Sequence, residues 1–262
     1  MRQRAMKRGL RGLFVVLVAL AGFGLGLLYP VLNRPALVLH QDAVVEGIAR
    51  EDVSARYLEE AGGFISVEPR GLAAHTLFIF YPGGLVSPQA YEWLGVALAP
   101  SGVRTVIPRF TFDLAVTSPN RADALLSHLA SRGEHYDRVV IGGHSLGGAM
   151  AARYLYRHPG RVDALVLMAA YSAEGDDLSG LELPVLVLAA EHDGRAPLAT
   201  VEAGLRRLPP EAALYVVEGA VHSFFGRYGP QRGDGLPSAT RHRAEADIRE
   251  AVAAFILQVA IR

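Results

Sequence analysis

The chain has 262 residues, 51% of them hydrophobic and 20% charged, which suits one globular domain with a sizeable core. Its 26 lysine and arginine residues balance its 26 acidic residues, and this neutrality argues against a nucleic-acid-binding surface. Because the chain has no cysteine, disulfides, thiolate catalysis and cysteine-based metal sites are excluded.

The N-terminus combines a basic cluster with a long uncharged segment. Residues 12–33 carry no charged side chain, and about 20 apolar residues are enough to cross a bilayer as a helix. Basic residues favour the cytoplasmic side, so the chain after Arg34 is expected outside the cytoplasm. We predict a basic segment and single-pass membrane anchor over residues 1–34 and a globular domain over residues 35–262. The basic residues are Arg2, Arg4, Lys7, Arg8 and Arg11.

A cleaved signal peptide is the alternative interpretation of this segment. Ala19-Leu20-Ala21 resembles a signal-peptidase site, and cleavage there would release a secreted domain. However, the apolar run continues beyond that site to residue 28, which favours an uncleaved anchor.

After residue 34, short β-rich runs alternate with helical patterns. Strands alternating with helices require crossover connections, so the pattern predicts an α/β fold with a mostly parallel, doubly wound sheet covered on both faces. The predicted strands span residues 63–67, 76–81, 103–107, 138–142, 164–168, 184–189 and 213–217.

The helical segments have recognisable starts and apolar stripes. Ser87-Pro88 and Ser118-Pro119 are each typical of an N-cap followed by proline at the first helical position. The first pair opens a predicted helix to about residue 99, and further helices are predicted over residues 146–158 and 198–208. The stripe of the last predicted helix consists of Ile248, Val252, Phe255, Ile256 and Val259.

Residues 143–147 have the sequence Gly-His-Ser-Leu-Gly, which matches the motif G-x-S-x-G between a predicted strand and a predicted helix. In that setting a tight turn strains the serine backbone and holds its hydroxyl clear of the sheet. The helix N-terminus directs free N–H groups towards the place where an oxyanion would form. The motif therefore predicts Ser145 as a nucleophile and the N–H of Leu146 as an oxyanion donor.

A serine nucleophile needs a base, and the base needs an orienting acid. In this setting the expected chain order is serine, acid, histidine, each at the carboxyl end of a strand. Asp193 follows the predicted strand 184–189, and His222 follows the strand 213–217. We predict Asp193 as the acid and His222 as the base.

Other titratable side chains lie nearby in the sequence. Glu191 is nearer the strand end and is the alternative acid, whereas Asp176 and Asp177 follow the wrong strand. His192 precedes the acid and is a candidate pocket residue, and His144 beside the serine is expected to pack locally.

The loop after the strand 76–81 reads Pro82-Gly83-Gly84-Leu85 and could supply the second oxyanion donor. We assign that donor to Gly84, with Leu85 as the alternative. A plain strand-ending turn is the competing interpretation, because glycine pairs are common in turns.

These motifs together resemble the α/β-hydrolase superfamily over about residues 78–255, and more narrowly a bacterial group related to dienelactone-hydrolase-like enzymes. The resemblance implies an α/β-hydrolase fold and a triad of Ser145, Asp193 and His222. Dienelactone hydrolases themselves use a cysteine nucleophile, so their substrate does not carry over. The matching stretches are Tyr81-Pro82-Gly83-Gly84 with Ala90-Tyr91, residues 118–123, residues 142–150, His192-Asp193-Gly194, His222 with Phe225-Gly226, residues 228–231, and Gly233-Asp234-Gly235.

Two segments bear on how open the site is. Residues 169–183 are too few for the helical cap that lipases and epoxide hydrolases of this fold often insert, so we predict no large cap. Residues 223–238 form a long loop after the histidine. We predict that this loop forms a pocket wall, with a surface loop that has no substrate role as the alternative.

The predicted reaction is acyl transfer to water on a small ester-like substrate, with no metal or organic cofactor. The expected partners are that substrate and a membrane, without nucleic acid. Two other functions stay open: an acyltransferase of the same fold, and a catalytically silent, membrane-anchored binding domain.

Overall fold

The computed structural model describes residues 2–32, residue 38 and residues 50–261. The chain divides into two compact units, Met1–Pro35 and Ala36–Arg262. The predicted boundary between residues 34 and 35 lies outside the described residues.

The first unit is helix α1, Arg2–Leu32. Its stretch Leu10–Leu28 has a mean hydropathy of 2.1, and none of it is buried. Nineteen helical residues span about 28 Å at 1.5 Å per residue, close to the ~30 Å hydrocarbon core of a bilayer. The helix is therefore long and apolar enough to cross a membrane.

The second unit is built on one eight-stranded sheet with the strand order β1-β2-β4-β3-β5-β6-β7-β8. The strands are β1 Val53–Leu58, β2 Phe64–Pro69, β3 Thr76–Tyr81, β4 Val103–Pro108, β5 Arg138–His144, β6 Ala164–Met168, β7 Val185–Ala190 and β8 Ala213–Val217. Strand β2 pairs antiparallel with both β1 and β4, and the remaining neighbours are parallel. The predicted mostly parallel sheet is confirmed.

Helices cover both faces of this sheet. Every residue of β3, β4, β6 and β7 is buried, which requires covering layers on both sides. This explains why the sequences of β3, β6 and β7 are nearly continuous apolar runs, whereas β4 also buries Arg104 and Thr105. The helices are α2 Glu92–Leu98, α3 Arg121–Ser131, α4 Leu146–Arg157, α5 Leu198–Gly204 and α6 Arg241–Ile261.

Two local features differ from the sequence prediction. Strand β1 was not predicted, because it is an edge strand with only one buried residue among its six and with little apolar periodicity. Helix α3 begins at Arg121 with Asn120 at its N-cap rather than at Ser118. The Tyr81 hydroxyl accounts for this start, because it donates to the Pro119 carbonyl and accepts the Ala122 N–H.

Residues 169–184, between β6 and β7, form turns without a helix. Over this described segment the predicted absence of a large cap is therefore confirmed. The edge of the sheet where the parallel strands end is left uncovered by any inserted domain at this point of the chain.

The apolar stripe of α6 generates a stability prediction. Ile248 is fully buried, whereas Leu257 on the same helix is 46% exposed. We expect Ile248→Ala to lower the free energy of unfolding by about 2–5 kcal/mol, because it removes buried methyl groups and leaves a cavity.

Leu257→Ala is the matched control and should change stability by less than about 0.5 kcal/mol. Chemical denaturation of the detergent-solubilised protein measures both variants. Equal losses for the two substitutions would contradict this packing of α6.

Candidate active site

Ser145 occupies a strained turn between the last residue of β5 and the first residue of α4. Its backbone has φ +52° and ψ −122°, a left-handed conformation that costs a non-glycine residue about 1–3 kcal/mol and is concentrated at functional sites. The Ser145 N–H donates to the Met168 carbonyl at 2.9 Å, which fixes the turn against β6. The structure thus shows the strained turn that the motif predicts.

The turn is possible because the chain comes very close to itself at two glycines. A β-carbon on Gly147 would overlap the carbonyl oxygens of Tyr81 and Pro82, and one on Gly143 would lie 2.6 Å from the Tyr81 oxygen. These contacts press the start of α4 against the end of β3. They bring the serine turn beside the loop that follows β3.

Two backbone N–H groups are free at this junction. In the described part of the chain neither the Leu146 N–H nor the Gly84 N–H has an acceptor, and the first N–H groups of a helix have no partner within it. A β-carbon on Gly84 would lie 3.4 Å from the Leu146 β-carbon, so the two residues are adjacent. The Leu85 N–H already donates to the Asp113 carbonyl at 2.8 Å, which favours Gly84 over Leu85 as the second donor.

His222 and Asp193 are hydrogen-bonded in the loops that follow β8 and β7. His222 Nδ1 lies 2.7 Å from Asp193 Oδ2, and both side chains are buried. The other carboxylate oxygen, Oδ1, accepts the N–H groups of Arg195 at 2.7 Å and Ala196 at 2.6 Å. Because the carboxylate occupies Nδ1, Nε2 is the ring nitrogen left to accept a proton.

The histidine loop is in contact with the serine turn. The ring of His144, the residue before Ser145, lies 4.5 Å from the ring of His222, centroid to centroid. Within the described residues Ser145 Oγ makes no hydrogen bond, which is common before a substrate binds.

The other acids predicted as rivals are engaged elsewhere. Glu191 Oε2 accepts the Gly219 N–H at 2.7 Å, and Asp176 pairs with Arg153 at 2.9 Å. Asp177 accepts the Ser179 N–H at 2.9 Å in a surface turn. Of the acids considered, only Asp193 bonds the His222 ring.

The histidines beside the predicted triad differ from each other in placement. His192 is half-buried, and its Nε2 lies 3.1 Å from Ser238 Oγ. His144 is fully buried between Tyr91 and His222. Burial, reinforced by the neighbouring His222, holds the pKa of His144 well below its ordinary value, while a backbone contact with His222 opposes the shift without reversing it.

Asp234 is a functional candidate that the sequence did not predict. Its carboxylate accepts the N–H groups of His222 at 2.9 Å, Ser223 at 2.8 Å and Gly194 at 3.4 Å. One side chain therefore joins the loop after Asp193 to the loop that carries His222. Its position between Gly233 and Gly235 is typical of a tight turn. The sequence does not indicate which backbone N–H groups its carboxylate accepts, because those groups belong to other loops.

The loop 223–238 lies beside the residues of the predicted site. Phe225 and Tyr228 are buried, and their rings pack against His144 at centroid distances of 5.7 and 6.1 Å. Arg241 of α6 secures the loop by donating to the carbonyls of Ser223, Gly226 and Tyr228. These aromatic side chains pack against the residue that precedes Ser145, and the pocket wall stays a prediction.

No group of three or more histidine, cysteine or acidic residues that could hold a metal ion occurs among the described residues. The chemistry on offer is that of a serine hydroxyl beside a histidine and carboxylate pair, with two free N–H groups next to it. Such an arrangement can add a serine oxygen to a carbonyl carbon and stabilise the charge that develops.

Comparison with known proteins identifies one matching family. A model described as the alpha/beta hydrolase family matches residues 77–246, a range that contains all five predicted site residues. No curated protein matches the sequence.

The choice between the two candidate acids generates a prediction. We expect Asp193→Asn to slow the reaction of Ser145 with a fluorophosphonate by roughly three to four orders of magnitude, because an amide favours the wrong tautomer of His222. The second-order labelling rate measures this effect.

Glu191→Gln is the matched control, since it changes a neighbouring carboxylate in the same loop without touching the His222 ring. Its labelling rate should equal that of the unmodified protein. A comparable loss in Glu191→Gln would reverse the assignment of the acid.

Proposed function

The chain belongs to the alpha/beta hydrolase family, and we propose that it is a serine hydrolase that cleaves carboxylic esters through an acyl-enzyme on Ser145. Family membership supports a hydrolase-type function. The finer assignment rests on the site, above all on the buried 2.7 Å hydrogen bond between His222 and Asp193 beside the serine turn.

Each proposed step follows from the position of one group. His222 Nε2 takes the Ser145 proton while Oγ attacks the ester carbonyl carbon, and the N–H groups of Gly84 and Leu146 hold the oxyanion. The C–O bond to the alcohol then breaks, and the alcohol leaves with the proton from His222. His222 then takes a proton from a water molecule, whose oxygen attacks the carbonyl carbon of the acyl-enzyme. The bond from that carbon to Ser145 Oγ breaks, His222 returns the proton to Oγ, and the carboxylic acid leaves.

The surroundings of the oxyanion donors favour an uncharged, apolar acyl group. Leu85, Leu114 and Leu146 lie next to Gly84, and Phe112 in the loop after β4 is exposed. The sheet edge also lacks an inserted helix between β6 and β7. Small ester-like molecules are therefore the substrates we propose.

The membrane is the second proposed partner. Helix α1 contains an exposed apolar stretch, Leu10–Leu28. Four basic residues precede it in the sequence, and a fifth, Arg11, lies at its start. Because such a cluster is retained in the cytoplasm, we place the hydrolase domain on the extracytoplasmic side.

The nucleophile assignment predicts the behaviour of Ser145→Ala. The purified protein should react with a fluorophosphonate and hydrolyse p-nitrophenyl acetate and butanoate. Ser145→Ala should lose the label completely and lower kcat by about 10³-fold or more, because no acyl-enzyme can form.

Product analysis in the presence of a primary alcohol separates hydrolysis from acyl transfer. A free acid as the main product supports the hydrolase, whereas a new ester as the main product supports the acyltransferase. A folded protein with neither label nor turnover would support the binding domain.

The anchor predicts how the full chain partitions between membrane and soluble fractions. The protein should stay in the membrane pellet after alkaline carbonate and leave it only with detergent. Replacing both Leu17 and Leu20 with arginine should release it, because each central arginine costs about 2.5–3.5 kcal/mol in a membrane helix.

Arginines at the exposed positions Leu72 and Leu257 of the hydrolase domain are the control and should leave the protein in the pellet. Protease added outside sealed, right-side-out vesicles should degrade the domain. Protection from that protease would contradict the proposed orientation, and a soluble chain that begins after residue 21 would show signal cleavage.

A further inference from the structure

Two buried polar side chains next to the proposed oxyanion donors take no part in the steps above. Tyr91 and His144 are both fully buried, and Tyr91 Oη lies 2.8 Å from His144 Nδ1. The same hydroxyl accepts the Gly83 N–H at 3.0 Å. A continuous chain of hydrogen bonds therefore connects the loop after β3 with the end of β5.

The direction of these hydrogen bonds follows from counting protons. A tyrosine hydroxyl has a single proton, and among the described residues His144 Nδ1 is the only hydrogen-bond acceptor beside Tyr91 Oη. The proton is therefore the one shared with His144, while the oxygen accepts the Gly83 N–H. Nδ1 of His144 is then the acceptor, and the neutral ring carries its own hydrogen on Nε2. Burial supports this assignment because it raises the pKa of Tyr91 and lowers that of His144.

The loop lies directly on this pair. A β-carbon on Gly83 would lie 2.8 Å from both His144 Nδ1 and Tyr91 Oη, so a side chain there would displace one of them. Gly83 precedes the proposed donor Gly84, and His144 precedes Ser145. The hydrogen-bonded pair thus links the segment of one oxyanion donor to the turn that carries the nucleophile and the other donor.

No side chain in the described part of the chain bonds the second nitrogen of His144, Nε2, which is buried. The ring is in contact with the backbone of His222, and the centroids of the two rings lie 4.5 Å apart. A second positive charge at this distance would oppose the positive charge that His222 acquires during the reaction. A neutral His144 therefore suits a position beneath the base.

We propose that Tyr91 and His144 are positioning residues that hold the Gly83–Gly84 segment against the Ser145 turn, so that the Gly84 and Leu146 N–H groups point at one oxyanion. The proposal rests on the proposed function. The proposal assigns a role to His144, the residue between Gly143 and Ser145 in the G-x-S-x-G motif.

The test begins with Tyr91→Phe, which removes one oxygen and keeps the ring that packs against Phe80. It leaves the Gly83 N–H and His144 Nδ1 without their shared partner. We expect kcat for p-nitrophenyl butanoate to fall about 10- to 100-fold, since misplacing one oxyanion donor costs up to the ~10²–10³-fold loss that follows its removal. KM should change by less than about three-fold, because ground-state binding does not use this donor.

Tyr154→Phe is the matched control. Tyr154 is also fully buried, and its hydroxyl donates to Asp123 at 2.8 Å on α3, away from the loop after β3. The melting temperatures of both variants should fall by similar amounts, but kcat should stay unchanged in Tyr154→Phe. Equal losses of kcat in the two variants would show that the Tyr91 hydroxyl contributes only to the stability of the fold, and this would overturn the proposal.

Substitutions at His144 test the pair independently, including the case in which Tyr91→Phe does not fold. His144→Asn places an amide oxygen where Nδ1 accepts, so it should retain kcat within about five-fold, whereas His144→Leu should lose as much as Tyr91→Phe. The double variant Tyr91→Phe with His144→Leu should lose no more than either single one. Equal activity of His144→Asn and His144→Leu would contradict the proposal.

The outcomes separate this proposal from the function on which it rests. If the unmodified protein labels with a fluorophosphonate and turns over ester while Tyr91→Phe keeps full kcat, only the positioning role fails. If the unmodified protein neither labels nor turns over, the serine hydrolase assignment fails and the positioning role fails with it.

Discussion

Gly147 of α4 lies so close to the end of β3 that no side chain could stand between them. This contact fixes the start of α4 against the loop after β3, and the other features of the site depend on it. It forces Ser145 into its left-handed conformation at φ +52° and places the Leu146 N–H beside Gly84. The strain in one residue is thus offset by the packing of two strands and a helix.

The parallel sheet brings distant parts of the chain to one edge. Strands β3, β5, β7 and β8 all end there, so four loops that are far apart in sequence carry Gly84, Ser145, Asp193 and His222 to the same side. The loop 223–238 then returns to this edge, where Asp234 accepts the N–H groups of His222 and Gly194. The sheet sets the approximate distances, and hydrogen bonds between the loops refine them.

Buried polar side chains form the hydrogen bonds that fix the distances between these loops. Tyr91, His144 and Asp234 each form a hydrogen bond with a backbone N–H or a side chain at the site. Removing any of these side chains would leave a buried donor or acceptor without a partner, which lowers the free energy of unfolding. Because such groups are costly to bury without partners, their presence beneath an enzyme-like site indicates a requirement for fixed geometry. The aromatic rings of Phe225 and Tyr228 complete this support under His144.

Features that depend on a local pattern of residues can be predicted from the amino-acid sequence. Continuous apolar runs predicted β3, β6 and β7, the G-x-S-x-G turn predicted Ser145, and strand ends predicted Asp193 and His222. The sequence did not predict β1, an edge strand that buries only one residue and lacks apolar periodicity, or the true start of α3, which depends on the Tyr81 hydroxyl. The hydrogen bond of the Leu85 N–H to Asp113 and the partners of Asp234 and His144 became visible in the folded chain alone. Residue types encode burial and turns, whereas a hydrogen bond between two loops depends on the path that each loop takes through space.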